Sequence, residues 1–494
     1  MIALLLAASA IAGSISLSDA LDQALRSNLE LEQQRLDLKA AQWGVTQARG
    51  AFDPSLSIGT DYGVDIAPSN WTDDAVEAVT TTSSGWSTGV TQPLPGGGSA
   101  SLVWAESHSD TNSAARVLTV FGSDSASIVL TQPLLQGAGL GPSQRGIRYA
   151  KLALSDQELV WRSELEQLVL DVCQAYWNLV LANENFALAE ESVRTAEVHL
   201  SQTAERQTEG FAGSGDVLQV ERSLGNARQG LVVAEAQVQA AESTLARLLG
   251  VPLAERVSLT PTDKPTMMGG DPVEDEALAL ARDRNAGWLR QAISVTKSLE
   301  ALRESRNGLM PDLDLTGSLG SSGLDADLGA ARRQVWSGDY LSWGLGADLS
   351  IALPMRQARA EFVTARLSHD RAQLQLLGAE QDLHGHVESA VRNVIRDRSR
   401  HELALQTLDF ARRALEAEEE LLREGNARAS TLAVTLAVDE LQSVEVAELN
   451  ARIDLQLSAL ELMRVEGVLL EELDINPHGV VPSTAEAEPR DLQE

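Results

Sequence analysis

The chain has 494 residues, 44% of them hydrophobic and only 4% aromatic, with a formal net charge of −32. That acidity leaves no clustered Lys and Arg for phosphate contacts and excludes nucleic acid as a partner. The recurring Ala, Leu, Glu, Gln and Arg favour long helices over a compact mixed domain, and the single Cys173 permits neither an internal disulfide nor a cysteine metal cluster.

The opening MIALLLAASAIAGSIS has a short apolar run followed by small residues, with Ala10-Ile11-Ala12 as a cleavage site. It reads as a signal peptide over residues 1–13. Nothing later approaches the ~18 consecutive apolar residues of a membrane-spanning helix, so any membrane span must be a β-barrel. A first helix is expected from near Ser18, capped by its hydroxyl with Asp19 in the first turn, to near Phe52. Alternating stretches follow at 55–66, 86–92, 99–106 and 126–132. A very long helix then runs from about Ser143 to Glu209, roughly 100 Å at 1.5 Å per residue.

Its tip is GFAGSGD, residues 210–216. Gly210 sits where a helix end favours positive φ, and Asp216 where the returning helix favours an N-cap. That helix runs to about Leu249, and VPLAERVSLTPTDKPTMMGGDP links it to a second series. Strands are expected there at 312–319 and 343–353, and a second very long helix from about Gln357 to Glu424. The second tip is GNARAST, 425–431, with Gly425 and Thr431 in the places of Gly210 and Asp216, and its return helix ends near Met463.

The second series repeats the first. Pro54 aligns with Pro311, 257 residues on, bringing Leu21 to Leu278, Asn28 to Asn285 and Leu56 to Leu313. Val172 meets Val387 at a spacing of 215, with Asn178 on Asn393 and Gly210 on Gly425. Pro133 meets Pro354 at 221. The expected organisation is a first repeat over 14–255, a linker over 256–272, a second repeat over 273–470 and a disordered tail over 471–494.

In LSIGTDYGVDIA, Leu56, Ile58, Thr60, Tyr62, Val64 and Ile66 share one face, and Ser57, Gly59, Asp61, Gly63 and Asp65 the other. Long polar helices provide no layer to cover the apolar face. A transmembrane barrel does: lipid meets the apolar face and a watery lumen the small, acidic one. Trp86, Trp104, Trp336, Tyr340 and Trp343 lie in or beside these strands, where membrane-interface aromatics belong. Six strands at most cannot close such a barrel, so several chains must share it.

The stretches LSDALDQALRSNLELEQQRLDLKAAQWGVTQARGAFDPSLSIG, VLTQPLLQG, GFAGSGDVLQVERSL and STLARLLGV, with second-copy partners including LPMRQARAEF, resemble the TolC family of outer-membrane efflux and export proteins. The resemblance runs from about Ser16 to Glu471. It implies a mostly α protein with a β membrane part. Duplicated long-helix hairpins would form an α-barrel in the periplasm, continuous with a transmembrane β-barrel shared by a homotrimer in outer-membrane lipid. It further implies passive conduction of substrates from an inner-membrane pump through a periplasmic adaptor (membrane fusion) protein, without cofactor, metal or catalysis.

The helical tips resemble the periplasmic entrance where adaptor hairpins dock, which points to Gly210, Phe211, Gly213, Asp216, Gly425, Arg428 and Thr431. Where some members carry an aspartate ring, this chain has Thr431 and Val434, with Asp439 later; Asp216 is the acidic residue of the first tip. The segment SGWSTGVTQPLPGGGSASLVWAESHSD adds a hairpin that the second copy lacks.

Two other readings compete. A soluble periplasmic coiled-coil scaffold or adaptor without a pore accounts for the helices and charge, but not for the duplicated Pro-strand junctions. An enzyme would have to use His384, His386 and Glu388, whose spacing does not present both imidazoles on one helical face. The run EAEEELLREG, 416–425, reads as a solvated helix face paired with Arg412, Arg413 and Arg423.

Overall fold

A computed structural model of the chain describes residues 13–69, 76–210, 213–251, 259–263, 272–423 and 431–476. The signal expectation falls on residues 1–12, outside the described residues, and on Gly13. In chain order the first elements are β1 (Gly13–Ile15), α1 (Leu17–Ser27), α2 (Leu29–Arg49), β2 (Ser55–Pro68), β3 (Ala78–Pro93), β4 (Ser99–Thr111) and β5 (Val120–Pro133). There follow α3 (Leu140–Ser143), α4 (Arg145–Thr208), α5 (Ser214–Leu248), β6 (Leu259–Pro261), α6 (Glu274–Arg284) and α7 (Ala286–Asn307). The chain continues through β7 (Asp312–Asp325), α8 (Leu328–Ser337), β8 (Leu341–Ser350), α9 (Arg356–Arg423), α10 (Thr431–Glu466) and α11 (Leu469–Glu472). It divides into two compact units, one of residues 1–38, 157–291 and 377–494, the other of 39–156 and 292–376.

The first unit is helical, and its core follows the three- and four-residue steps of the sequence. On α4, Trp161, Leu165, Val169, Val172, Tyr176 and Leu179 are all buried, a stripe that a helix hides only against other helices. Cys173 lies in the same stripe, and burial pushes its thiol up to about 12. The duplication reappears as matched burial. Val172 and Val387 are both fully enclosed, as are Ala20 and Ala24 in one copy and Ala277 and Ala281 in the other.

The expected single first helix is instead broken at Asn28, because Asn28 caps the second piece. Its Oδ1 accepts from the Leu31 N–H at 2.9 Å, and its Nδ2 donates to the Leu248 carbonyl at 3.1 Å. Asn285 does the same in the second copy, with Trp288 N–H at 3.1 Å and the Val465 carbonyl at 3.0 Å. Each site is closed by a glycine with positive φ, Gly250 (69°) and Gly467 (75°). A Cβ on either would run into the backbone of Ser27 or Arg284, so only glycine fits.

The cap of α1 is also not the expected one. Ser16, not Ser18, accepts from the Asp19 N–H, and Asp19 returns the bond in a capping box. The sequence reading overlooked the pairing of β1 with β6, a parallel two-stranded piece running from Gly13↔Leu259 to Ile15↔Pro261. Tyr176 ties it down: its hydroxyl donates to either the Ile15 carbonyl or Asp263 Oδ2, each 3.1 Å away, and accepts from Thr262 N–H. The tail expected to be disordered from 471 is structured further, since α11 reaches Glu472 and the Ile475 N–H bonds the Leu470 carbonyl at 2.8 Å; residues 477–494 lie outside the described residues.

The second unit holds one antiparallel six-stranded sheet in the order β2-β3-β4-β5-β7-β8. All six expected strands exist, and most are longer than their alternating cores. Beneath the sheet, Arg148 bonds Glu300 at 2.9 Å and Lys297 bonds Asp156 at 2.9 Å. Arg148 holds the Glu300 carboxyl below its usual range.

Candidate functional site: the two-faced sheet and the helical tips

Strand register turns the alternating sequences into continuous surfaces. One row runs Leu56, Val90, Leu102, Ile128, Leu319 and Trp343, each directly opposite the next across all six strands. All six are exposed. The adjacent row on the other face runs Ser57, Gly89, Val103, Ser127, Gly320 and Ser342. A side-chain period of two keeps this separation along every strand. Ile58, Tyr62 and Ile66 extend the apolar face along β2, Leu345 and Leu349 along β8; each is at least 61% exposed. Asp61, Asp65, Asp312, Asp314 and Asp348 all project from the small, polar face, and Asp314 stands directly opposite Asp348.

Helix α8 lies on the apolar face and is the principal feature that sequence reading missed. Its signals were present: Asp327 caps it by accepting from the Ala330 N–H at 3.1 Å, and Gly338 ends it in the left-handed conformation. Gly122 and Gly323 on the sheet leave room for Leu328 and Ala331. Arg332 reaches across to Glu106 and to Asp124, the latter at 3.6 Å. These two carboxylates face each other on neighbouring strands. Trp86 Nε1 donates to Glu106 at 3.3 Å and Trp104 Nε1 to Asp124 at 2.5 Å, while the two indoles meet edge to face at 5.3 Å.

The five aromatics singled out therefore have two environments. Trp86 and Trp104 sit in this charged network, part-covered, whereas Trp336, Tyr340 and Trp343 are 75%, 59% and 74% exposed. Trp336 touches Trp104 edge-on at 6.5 Å, so α8 bridges the two groups.

At the first tip Gly210 takes φ 84° as expected. Asp216 is not the N-cap; Gly213 is, and Asp216 three residues on accepts the Gly213 N–H at 2.8 Å. The acidic side chain still neutralises the helix start, from inside the first turn. Leu218, one turn on, is 65% exposed. Phe211, Gly425 and Arg428 lie outside the described residues, and Thr431 is the first residue of α10. Of the expected partners of the 416–425 run, Arg412 bonds Glu445 at 3.4 Å and Arg413 bonds Asp409 at 2.7 Å; the side chain of Arg423 lies outside the described residues. His384 and His386 are exposed on α9, between buried Leu383 and Val387. Among the described residues no cluster of His, Cys, Asp and Glu is arranged to hold a metal, and no helix is long and apolar enough to cross a membrane.

The sequence matches the family described as outer membrane efflux protein over residues 20–251 and 277–468. It is 23% identical to the outer membrane protein TolC of Escherichia coli (strain K12) over 488 residues, covering 94% of this chain and 87% of that protein. The solved Campylobacter jejuni CmeC outer membrane channel superposes with a TM-score of 0.67 at 16% identity, over 92% of this chain and 86% of that one. The outer-membrane channel OprN gives 0.68 at 16% identity, over 91% and 89%. The chain thus belongs to the outer membrane efflux protein family, and its two-faced sheet is its share of an outer-membrane channel wall.

Proposed function

We propose that three copies of this chain form the exit duct of a tripartite efflux or secretion system. Each copy lends its sheet to one barrel, and its long helices to the periplasmic part. Substrates enter from an inner-membrane pump through a periplasmic adaptor and move passively, with no reaction catalysed by the duct. The observation that carries the reading is the sheet: an apolar row exposed across all six strands on one face, and a small, polar row beside it on the other. A soluble scaffold without a pore gains nothing from such a surface.

In this reading the tips dock the adaptor through Gly210, Phe211, Gly213 and Asp216, and through Gly425, Arg428 and Thr431. Exposed Leu218 supports a packing role beside them. Trp336, Tyr340 and Trp343 sit at the membrane interface, and Trp86 and Trp104 brace α8 there. The signal peptide is the leader expected over 1–13, with Gly13, which pairs with Leu259 in β1, retained in the mature chain; the repeats span 14–255 and 273–470 around the 256–272 linker.

The test is the mass of detergent-extracted protein from outer-membrane fractions, by light scattering on a sizing column. Three chains per particle, together with crosslinking of a cysteine at Gly213 to a co-expressed adaptor, support the duct. A detergent-free monomer or dimer in the soluble fraction overturns it.

A further inference from the structure

The first repeat supplies four strands to the sheet, β2 to β5, and the second only two, β7 and β8. The surplus is the β3–β4 hairpin. It is paired along its length, with β2 from Ser55↔Thr91 to Pro68↔Ala78 and with β5 from Ser99↔Thr131 to Asp110↔Val120. Near its turn it follows the two-face rule of its neighbours: Val90 and Leu102 lie on the apolar side, and Gly85, Ser87, Gly89, Ser101 and Ser107 on the other; Glu106 departs from the rule on the apolar side, where Arg332 of α8 pairs with it. A hairpin folded over the rim or into the lumen would have no reason to keep that alternation.

Among the described residues β2 and β8 each pair on one side only. Open edges are not tolerated in hydrocarbon, because each unpaired backbone group there costs several kcal/mol. Six strands are also too few to enclose a lumen, since about eight leave room only for side chains. The occupant of both edges must be another copy of this chain. In a six-stranded antiparallel sheet the first and last strands run in opposite directions, so β8 of one copy meets β2 of the next antiparallel. The alternation stays unbroken for any number of copies. The apolar rows also continue across the seam, since Leu56, Ile58 and Tyr62 on β2 and Trp343, Leu345 and Leu349 on β8 all lie on the same side.

We infer that the outer-membrane barrel has eighteen strands, six from each of three copies joined β8 to β2, with the β3–β4 hairpin built into its wall. The number three rests on the trimer proposed above; six per copy and the β8–β2 seam rest on the sheet alone. The widening is confined to the membrane part. The hairpin closes on itself between Leu94 and Gly98, where the Leu94 N–H bonds the Gly98 carbonyl at 2.7 Å, and it adds no helix. Because diameter grows roughly linearly with strand number, the pore is about 1.5 times as wide as one built from four strands per copy.

The test is electron cryo-microscopy of the intact detergent-extracted assembly, with copy number fixed independently by light scattering. Three copies and eighteen strands, with β8 paired to a neighbouring β2, are expected. Three copies and twelve strands, with the hairpin outside the wall, overturn the inference and leave the trimer intact. Any other copy number overturns the trimer, and the strands counted per copy still judge the hairpin. A variant lacking residues 69–111 joins β2 directly to β5 through the 112–119 loop and keeps the strands antiparallel. It is expected to give twelve strands and a narrower ring; a ring of unchanged width refutes a wall position.

Discussion

Replacing Asn28 with Ala removes two bonds at once, and the structure sets the scale of the loss. The side chain caps α2 through the Leu31 N–H at 2.9 Å, a bond worth about 1 kcal/mol. It also satisfies the Leu248 carbonyl, in the last turn of α5, at 3.1 Å. That bond is buried, and an orphaned buried acceptor costs about 1–3 kcal/mol. Together the loss is about 3 kcal/mol, or roughly a hundredfold in the population of the opened form. Asn28→Ser keeps the cap alone and is expected to lose less. Asn28→Asp keeps the cap but sets a carboxylate against the Leu248 carbonyl in a buried site, and is expected to lose at least as much as Ala. Asn285→Ala breaks the same bonds where they are only part-buried, so its effect should be smaller. The assay is native-state proteolysis under conditions where cleavage follows the opened population. Equal rates for Asn28→Ser and Asn28→Ala, or an Ala variant indistinguishable from the parent, would refute the reasoning.

Three further outcomes follow from the packing. Arg332→Ala strands Glu106 and Asp124 under α8 on the apolar face, so trypsin should cut at Arg333 faster; adding Glu106→Gln and Asp124→Asn should slow it again, and a triple variant cut as fast as the single would contradict this. Glu300 is held below its ordinary carboxyl value of 4.5, first by its bond from Arg148. Its contribution is therefore complete above that value and disappears as pH falls through the lower folded one. An unfolding-rate profile over about pH 3 to 6 should be steeper for the parent than for Glu300→Gln, and identical profiles would count against the pairing. The acidic polar face makes an open pore cation-preferring; Asp314→Asn with Asp348→Asn, the directly opposed pair, should move the reversal potential toward neutrality, and anion preference in the parent would rule the mechanism out.

Local rules made much of this readable in the residues. Period-two alternation located all six strands, and three- and four-residue steps located the long helices to within a few residues of α4 and α9. The 257-residue spacing of Pro54 and Pro311 exposed the duplication and brought Asn28 onto Asn285, and Gly210 announced its own positive φ. Helix α8 was legible too, from Asp327 and Gly338, but its ten residues are too few for periodicity to stand out.

What the residues could not show were choices made between distant segments. Asn28 reads as one more polar position in a helix until Leu248, 220 residues on, offers its carbonyl. Gly13–Ile15 carries no strand signal of its own until Leu259–Pro261 pairs with it. The network around Trp86 and Trp104 becomes visible only when register sets Glu106 opposite Asp124 and α8 brings Arg332 over them. Periodicity is a property of neighbours along the chain, so the sequence by itself determined which residues share a face and where each strand and long helix lies. Strand order, the place of the extra hairpin in the wall and the sealing of two carboxylates by one arginine depend on which faces and edges meet. Only the tertiary structure decided these, because long-range pairing energies are set by partners that no local pattern specifies.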